Sequence, residues 1–118
     1  MVYAPPPPLT LESRIFIAGH RGMVGSAIHR RLAGEGFNRV ITRSRSALDL
    51  LDQQEVGRFF SSTPVDYVVL AAARVGGIYA NDTYPASFIY ENLMIEANVI
   101  HSAWASGVRR LLFLGSSC

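Results

Sequence analysis

Ile15-Phe16-Ile17-Ala18-Gly19-His20-Arg21-Gly22-Met23-Val24-Gly25-Ser26-Ala27-Ile28 is the stretch that decides how this chain is read. An apolar run with strand character passes through three closely spaced glycines into an apolar pattern of helical period. A strand that delivers the chain to a tight turn and on into a helix makes a cradle for a pyrophosphate. Gly19 lets the backbone bend, Gly22 lets it approach the phosphates, and Gly25 lets the helix pack closely on the sheet. Unpaired N–H groups and the positive end of the helix dipole then face the anion. The same glycines also serve as turn residues in a plain strand-turn-helix, and the apolar flanks on both sides favour the dinucleotide reading.

Bulk properties narrow the possibilities. A length of 118 residues with 49% apolar side chains suits one folded domain with a modest core. The net charge is only +2 and the arginines are dispersed, which argues against nucleic acid as a partner. No apolar run reaches the roughly 18 residues that a membrane span needs, and the first residues lack the pattern of a secretory signal, so a cytoplasmic protein without a membrane partner is expected. The single cysteine, Cys118, excludes an internal disulfide, and no Cys/His cluster suggests a metal. Every basic side chain other than histidine is arginine.

Working outward, Pro5-Pro6-Pro7-Pro8 marks residues 1–13 as a disordered proline-rich leader, and residues 14–118 as the folded part. After the first strand, Val24, Ala27, Ile28, Arg31 and Leu32 set a helix face that ends near Gly34 and Gly36. Residues 39–42 form a short second strand. Asp52 is placed as the N-cap of a helix whose apolar face is Val56, Phe59 and Phe60, stopped by Pro64. Residues 65–72 are almost wholly apolar, as a strand covered on both faces must be. A long helical pattern from Pro85, with Phe88/Ile89, Asn92/Leu93, Ile95/Glu96, Val99/Ile100 and Ala103 at helical spacing, ends at Gly107, and residues 110–115 form the fourth strand. Alternation of strand and helix predicts an α/β fold, the N-terminal portion of a Rossmann-type doubly wound parallel sheet with strand order 3-2-1-4. The ligand then lies over the carboxyl ends of the strands.

Which dinucleotide depends on the end of the second strand, where an NAD site carries an acidic side chain for the ribose hydroxyls. Here the chain reads Thr42-Arg43-Ser44-Arg45-Ser46, with no carboxylate before Asp49. Guanidinium groups at Arg43 and Arg45, with Arg21 from the glycine turn, suit a dianionic 2′-phosphate and so NADP; the alternative is three solvated arginines. Asp49 is placed to accept from the adenine amino group, or else as a helix-start residue. The small residues Ala71, Ala72 and Ala73 leave room for ribose and adenine, or simply pack a core.

Three further segments carry a resemblance: Ala71-Ala72-Ala73-Arg74-Val75-Gly76-Gly77-Ile78, Asn81-Asp82-Thr83-Tyr84-Pro85-Ala86, and Leu112-Phe113-Leu114-Gly115-Ser116-Ser117-Cys118. With the G-x-x-G-x-x-G turn of extended short-chain dehydrogenases/reductases, they make residues 14–118 resemble the N-terminal part of the GDP-L-fucose synthase family. The resemblance implies a 3,5-epimerisation and an NADPH-dependent 4-reduction of GDP-4-keto-6-deoxy-D-mannose, a GDP-sugar substrate and a homodimer. It implies catalytic roles for Ser116, which hydrogen-bonds the substrate carbonyl, and for Cys118, one partner of the epimerising acid/base pair. It also implies a cofactor set of Gly19, His20, Arg21, Gly22, Met23, Val24, Gly25, Arg43, Arg45, Asp49, Leu50, Ala71, Ala72, Ala73, Leu114, Gly115, Ser116 and Ser117. The family's Tyr-x-x-x-Lys pair, its second epimerisation residue and its GDP-sugar domain have no counterpart here, so the chain alone is expected to be inactive. A non-catalytic NADP-binding module and another nucleotide-sugar epimerase/reductase are the competing readings.

Overall fold

In the computed structural model of the chain, the described residues are 5, 8–72 and 85–114. They form β1 (Ile15–Ala18), α1 (Met23–Gly34), β2 (Val40–Ile41), α2 (Gln53–Ser62), β3 (Tyr67–Leu70), α3 (Pro85–Ala105) and β4 (Arg110–Phe113). All pairings are parallel, and the sheet order is β2-β1-β3-β4. The doubly wound parallel α/β fold is therefore present, but the expected order 3-2-1-4 is not. β3 lies on the free side of β1, in register from Ile15 opposite Tyr67 to Ala18 opposite Leu70. Two physical reasons account for the difference. β2 has only two residues, and the chain leaving it closes into local turns, with Leu48 N–H donating to the Ser44 carbonyl and Asp52 N–H to that of Asp49. An almost wholly apolar strand is also better covered between β1 and β4 than at an edge.

The starts of β1 and β3 are clamped together. Arg14 donates from its backbone N–H and Nε to Asp66 Oδ2, at 2.8 and 3.0 Å, and from Nη2 to Oδ1 at 3.0 Å. Hydrogen bonding to that guanidinium, the largest influence, holds the Asp66 carboxyl below its ordinary range.

After β2 the direction of winding reverses, and for right-handed crossovers this leaves α1 on one face and puts α2 and α3 on the other. The core lies on the second side. Phe16 is packed at ring-centroid distances of 4.6 Å from Phe59 and 5.8 Å from Phe60, with Val56, Val68, Leu70, Ile95, Val99 and Ala103 around it. Full burial of side chains of this size contributes about 1.5–3 kcal/mol each. α2 starts where the sequence indicates, with Asp52 accepting from the N–H groups of Gln54 and Glu55. α3 ends in a turn whose Gly107 and Val108 N–H groups return to the carbonyls of Trp104 and Ala103.

On the other side, α1 presents buried Gly25 and half-buried Ile28 and Leu32 to the sheet. Val24 and Ala27, expected on that face, are exposed. The helix is rotated because Gly25 is seated against the glycine turn. Ile28 and Leu32 of α1 share with Leu9, Ile15, Tyr67 and Leu112 the lining of an open apolar cavity of about 630 Å³ on this face.

Candidate dinucleotide-binding site

The turn after β1 is built by contacts that exclude side chains. Gly19 has φ +92°, and a Cβ there would lie 2.6 Å from the backbone nitrogen of Ala72 at the end of β3. A Cβ on Gly25 would lie 1.9 Å from the carbonyl oxygen of Gly19. Gly25 thus lets the first turn of α1 sit on the glycine turn itself, a more specific reason than packing on the sheet. Gly22 differs. It is the N-cap of α1, with no side-chain cap hydrogen bond and no acidic residue in the first turn, and its Cβ would make only ordinary contact at 3.6 Å. The N–H groups that every helix leaves unpaired at its start are here open to an anion.

Beside this turn, over the carboxyl ends of β1 and β3, lies a cavity of about 230 Å³. That is below the ~300–1,000 Å³ typical for drug-sized ligands and suits one half of a dinucleotide. Its wall brings together the sequence-derived residues Gly19, His20, Arg21, Gly22, Arg43, Arg45, Asp49, Leu50, Ala71 and Ala72. Arg43 is held there by two contacts: its guanidinium lies 5.3 Å over the Phe59 ring, and its Nη1 donates to the Thr42 carbonyl at 2.8 Å. The ion pairs among the described residues join Arg14 to Asp66, Arg31 to Glu35 and Arg39 to Glu12, and none of these arginines lines the cavity. Asp49 uses Oδ1 to accept from Leu51 N–H at 3.0 Å, which shapes the turn before α2. His20 is pushed below its ordinary pKa of 6.5, first by burial and then by Arg21 and the neighbouring His29. At neutral pH the cationic character of the wall therefore comes from arginine.

Not every candidate reaches the cavity. Met23 and Val24 are 87% and 50% exposed, Gly25 acts from beneath the turn, and Leu114 ends the sheet pairing with its N–H on the Leu70 carbonyl. Ala73, Gly115, Ser116, Ser117 and Cys118 lie outside the described residues. Sequence reasoning missed Phe16, Ala18, Ser44, Leu48, Leu51 and Ile95, which also line the cavity. The inward positions of β1 were a usable signal for Phe16 and Ala18; nothing local to α3 announces Ile95. An open glycine turn, a helix start without a carboxylate and an arginine-rich rim together fit a phosphorylated dinucleotide.

Fold and turn thus define a dinucleotide-binding domain of Rossmann type. The model of the NAD dependent epimerase/dehydratase family matches residues 15–118, and the chain belongs to that family. It is 59% identical over 107 residues to GDP-L-fucose synthase of Escherichia coli K12, covering 91% of this chain and 33% of that protein. It is 57% identical over 110 residues to putative GDP-L-fucose synthase 2 of Arabidopsis thaliana, covering 93% and 34%. Among solved structures, the GDP-mannoheptose C4 reductase MlghC from Campylobacter jejuni, with NADP bound, superposes with a TM-score of 0.87 at 42% identity, over 92% of this chain and 34% of that one. The chain spans about a third of the length of the curated relatives it matches.

Proposed function

We propose that residues 14–118 are the NADP-binding part of a GDP-L-fucose synthase, which epimerises GDP-4-keto-6-deoxy-D-mannose at C3 and C5 and reduces it at C4. The observation that carries the cofactor choice is that Arg43 and Arg45, after β2 where an NAD site would carry a carboxylate, share one cavity wall with Arg21 from the glycine turn. Identity of 57–59% to GDP-L-fucose synthases supports the substrate. The cofactor, when bound, supplies the hydride for C4. The residues of this chain hold it: the open start of α1 takes the pyrophosphate, the arginines the 2′-phosphate, and the wall from Asp49 to Leu51 with Ala71 and Ala72 the adenosine. Ser116 orients the substrate carbonyl through a hydrogen bond, and Cys118 exchanges a proton next to it. The 4-keto group makes those neighbouring carbons acidic enough for a thiol to act on them.

The chain contains no lysine, so it lacks the residue that lowers the pKa of the reducing tyrosine in this family, and the polypeptide alone is inactive in this reading. On α3, Ile89, Leu93, Ile100 and Trp104 form an exposed apolar stripe, which supports a homodimer with a second copy covering it. No described helix is long and apolar enough to cross a membrane. The test of the cofactor reading is calorimetric titration of the chain with adenosine 2′,5′-bisphosphate and with 5′-AMP. Tighter binding of the bisphosphate, narrowed or reversed by Arg45→Asp, is expected; equal affinities would refute the reading. In a chimera carrying the remaining part of the Escherichia coli relative, Cys118→Ser should suppress deuterium exchange at C3 and C5 while Ser116→Ala slows reduction.

A further inference from the structure

α3 contributes to the cavity in two ways. Ile95 lines it directly, and one turn further on Asn98, only 6% exposed, donates from Nδ2 to the Leu50 carbonyl at 2.9 Å. Leu50 belongs to the turn between β2 and α2 and itself lines the cavity. The other hydrogen bonds described for that turn are local: Leu51 N–H to Asp49 Oδ1, Asp52 N–H to the Asp49 carbonyl, and the Asp52 cap onto α2. Local bonds fix the shape of a turn without fixing where it stands against a neighbouring helix. Packing of Leu48, Leu50 and Leu51 on the core supplies attraction, but apolar contact is non-directional. The Asn98 bond is directional and joins residues 48 positions apart.

We propose that Asn98 is a positioning residue for the adenosine half of the dinucleotide, acting through the Leu50 carbonyl to set the distance between the Asp49–Leu51 turn and Ile95. The inference rests on reading this cavity as the adenosine site. Removing the carboxamide leaves the Leu50 carbonyl without its donor and frees the turn to shift, widening or closing the space between Leu50 and Ile95.

The test uses the whole chain and two probes, adenosine 2′,5′-bisphosphate and inorganic pyrophosphate, followed by calorimetry and by the amide resonances of residues 19–25 and 48–51. Loss of one net hydrogen bond predicts a roughly tenfold weaker affinity of Asn98→Ala for the bisphosphate. Pyrophosphate should perturb the glycine turn as it does in the unsubstituted chain. If Asn98→Ala loses its dispersed spectrum, Asn98→Gln, which keeps a donor one methylene further out, is expected to show an intermediate loss. Affinity unchanged in any folded variant overturns the role of Asn98, as does equal weakening of both probes, which would mark a general structural effect. An unsubstituted chain whose residues 48–51 do not respond to the bisphosphate overturns the adenosine reading of the cavity itself.

Discussion

Gly25→Ala and Gly22→Ala are the same change three residues apart in one turn, and the structure assigns them opposite consequences. A methyl on Gly25 would sit 1.9 Å from the Gly19 carbonyl oxygen, about 1.5 Å inside the 3.4 Å at which ordinary contact begins. The obstructing atom is backbone, in a turn held between β1 and Ala72, so no rotamer change relieves the overlap. Overpacking of a well-fitted interior costs about 1–3 kcal/mol, and a backbone obstruction places this case at about 3 kcal/mol or above. That is a large part of the 5–15 kcal/mol stability of a typical domain. Gly22 has an extended backbone at φ −73° and ψ 171°, which alanine adopts freely, and its methyl meets the Gly19 oxygen at 3.6 Å. Its replacement should cost about 1 kcal/mol, because alanine is a poorer N-cap than glycine, offset in part by the smaller freedom of the unfolded chain. In the proposed cofactor site, however, the methyl stands at the helix start assigned to the pyrophosphate. Urea unfolding followed by circular dichroism, paired with titration of adenosine 2′,5′-bisphosphate, separates the two. Gly25→Ala should lower the midpoint at unchanged slope, whereas Gly22→Ala should lower it far less and weaken the ligand. A Gly25→Ala chain as stable as the original would refute the account of the turn.

Asp52→Ala removes the acceptor for the N–H groups of Gln54 and Glu55 and should cost about 1 kcal/mol, read as a shift in urea midpoint; Asp52→Asn should recover most of it. Phe16→Ala, at a ring packed against Phe59 and Phe60, should cost about 3–5 kcal/mol, and retention of a cooperative transition at the original midpoint would contradict the assigned core. Acid should destabilise the fold in two windows. Asp66 titrates below its ordinary 3.8 when folded, so its contribution is present above that pH and is lost as pH falls through the folded value; Arg14→Met should flatten this part of the curve. His20 titrates below 6.5 when folded, so the unfolded chain takes up the proton first and stability declines as pH falls below 6.5, an effect that His20→Gln should remove.

The glycine turn, the Asp52 cap and the apolar face of α2 are legible in sequence because neighbours within a few residues decide each of them. Strand order is not of that kind. Whether β3 docks outside β2 or beside β1 depends on a pairing across some 50 residues and on the Arg14–Asp66 clamp, neither of which leaves a local pattern. The rotation of α1 escaped for a related reason. Val24 and Ala27 have the period of an inward face, but the contact between Gly25 and the Gly19 carbonyl fixes the helix instead. In the cavity, the arginine rim follows from the end of a strand and was readable, whereas Ile95 and Asn98 arrive from a helix whose composition says only that one side is buried.

The strand that bears the glycine turn is also the most enclosed element described. β1 is paired on both sides, and none of its four residues exceeds 3% exposure, whereas β2 has two half-buried residues and β4 is largely exposed. In a native-state ensemble, edges fray through small local openings while such a centre exchanges its amide protons only when most of the structure opens. The glycine turn proposed to hold the phosphates therefore hangs from the most enclosed of the described elements, so its shape persists through excursions that loosen the sheet margins. Ligand affinity and edge fraying are thereby kept on separate free-energy scales.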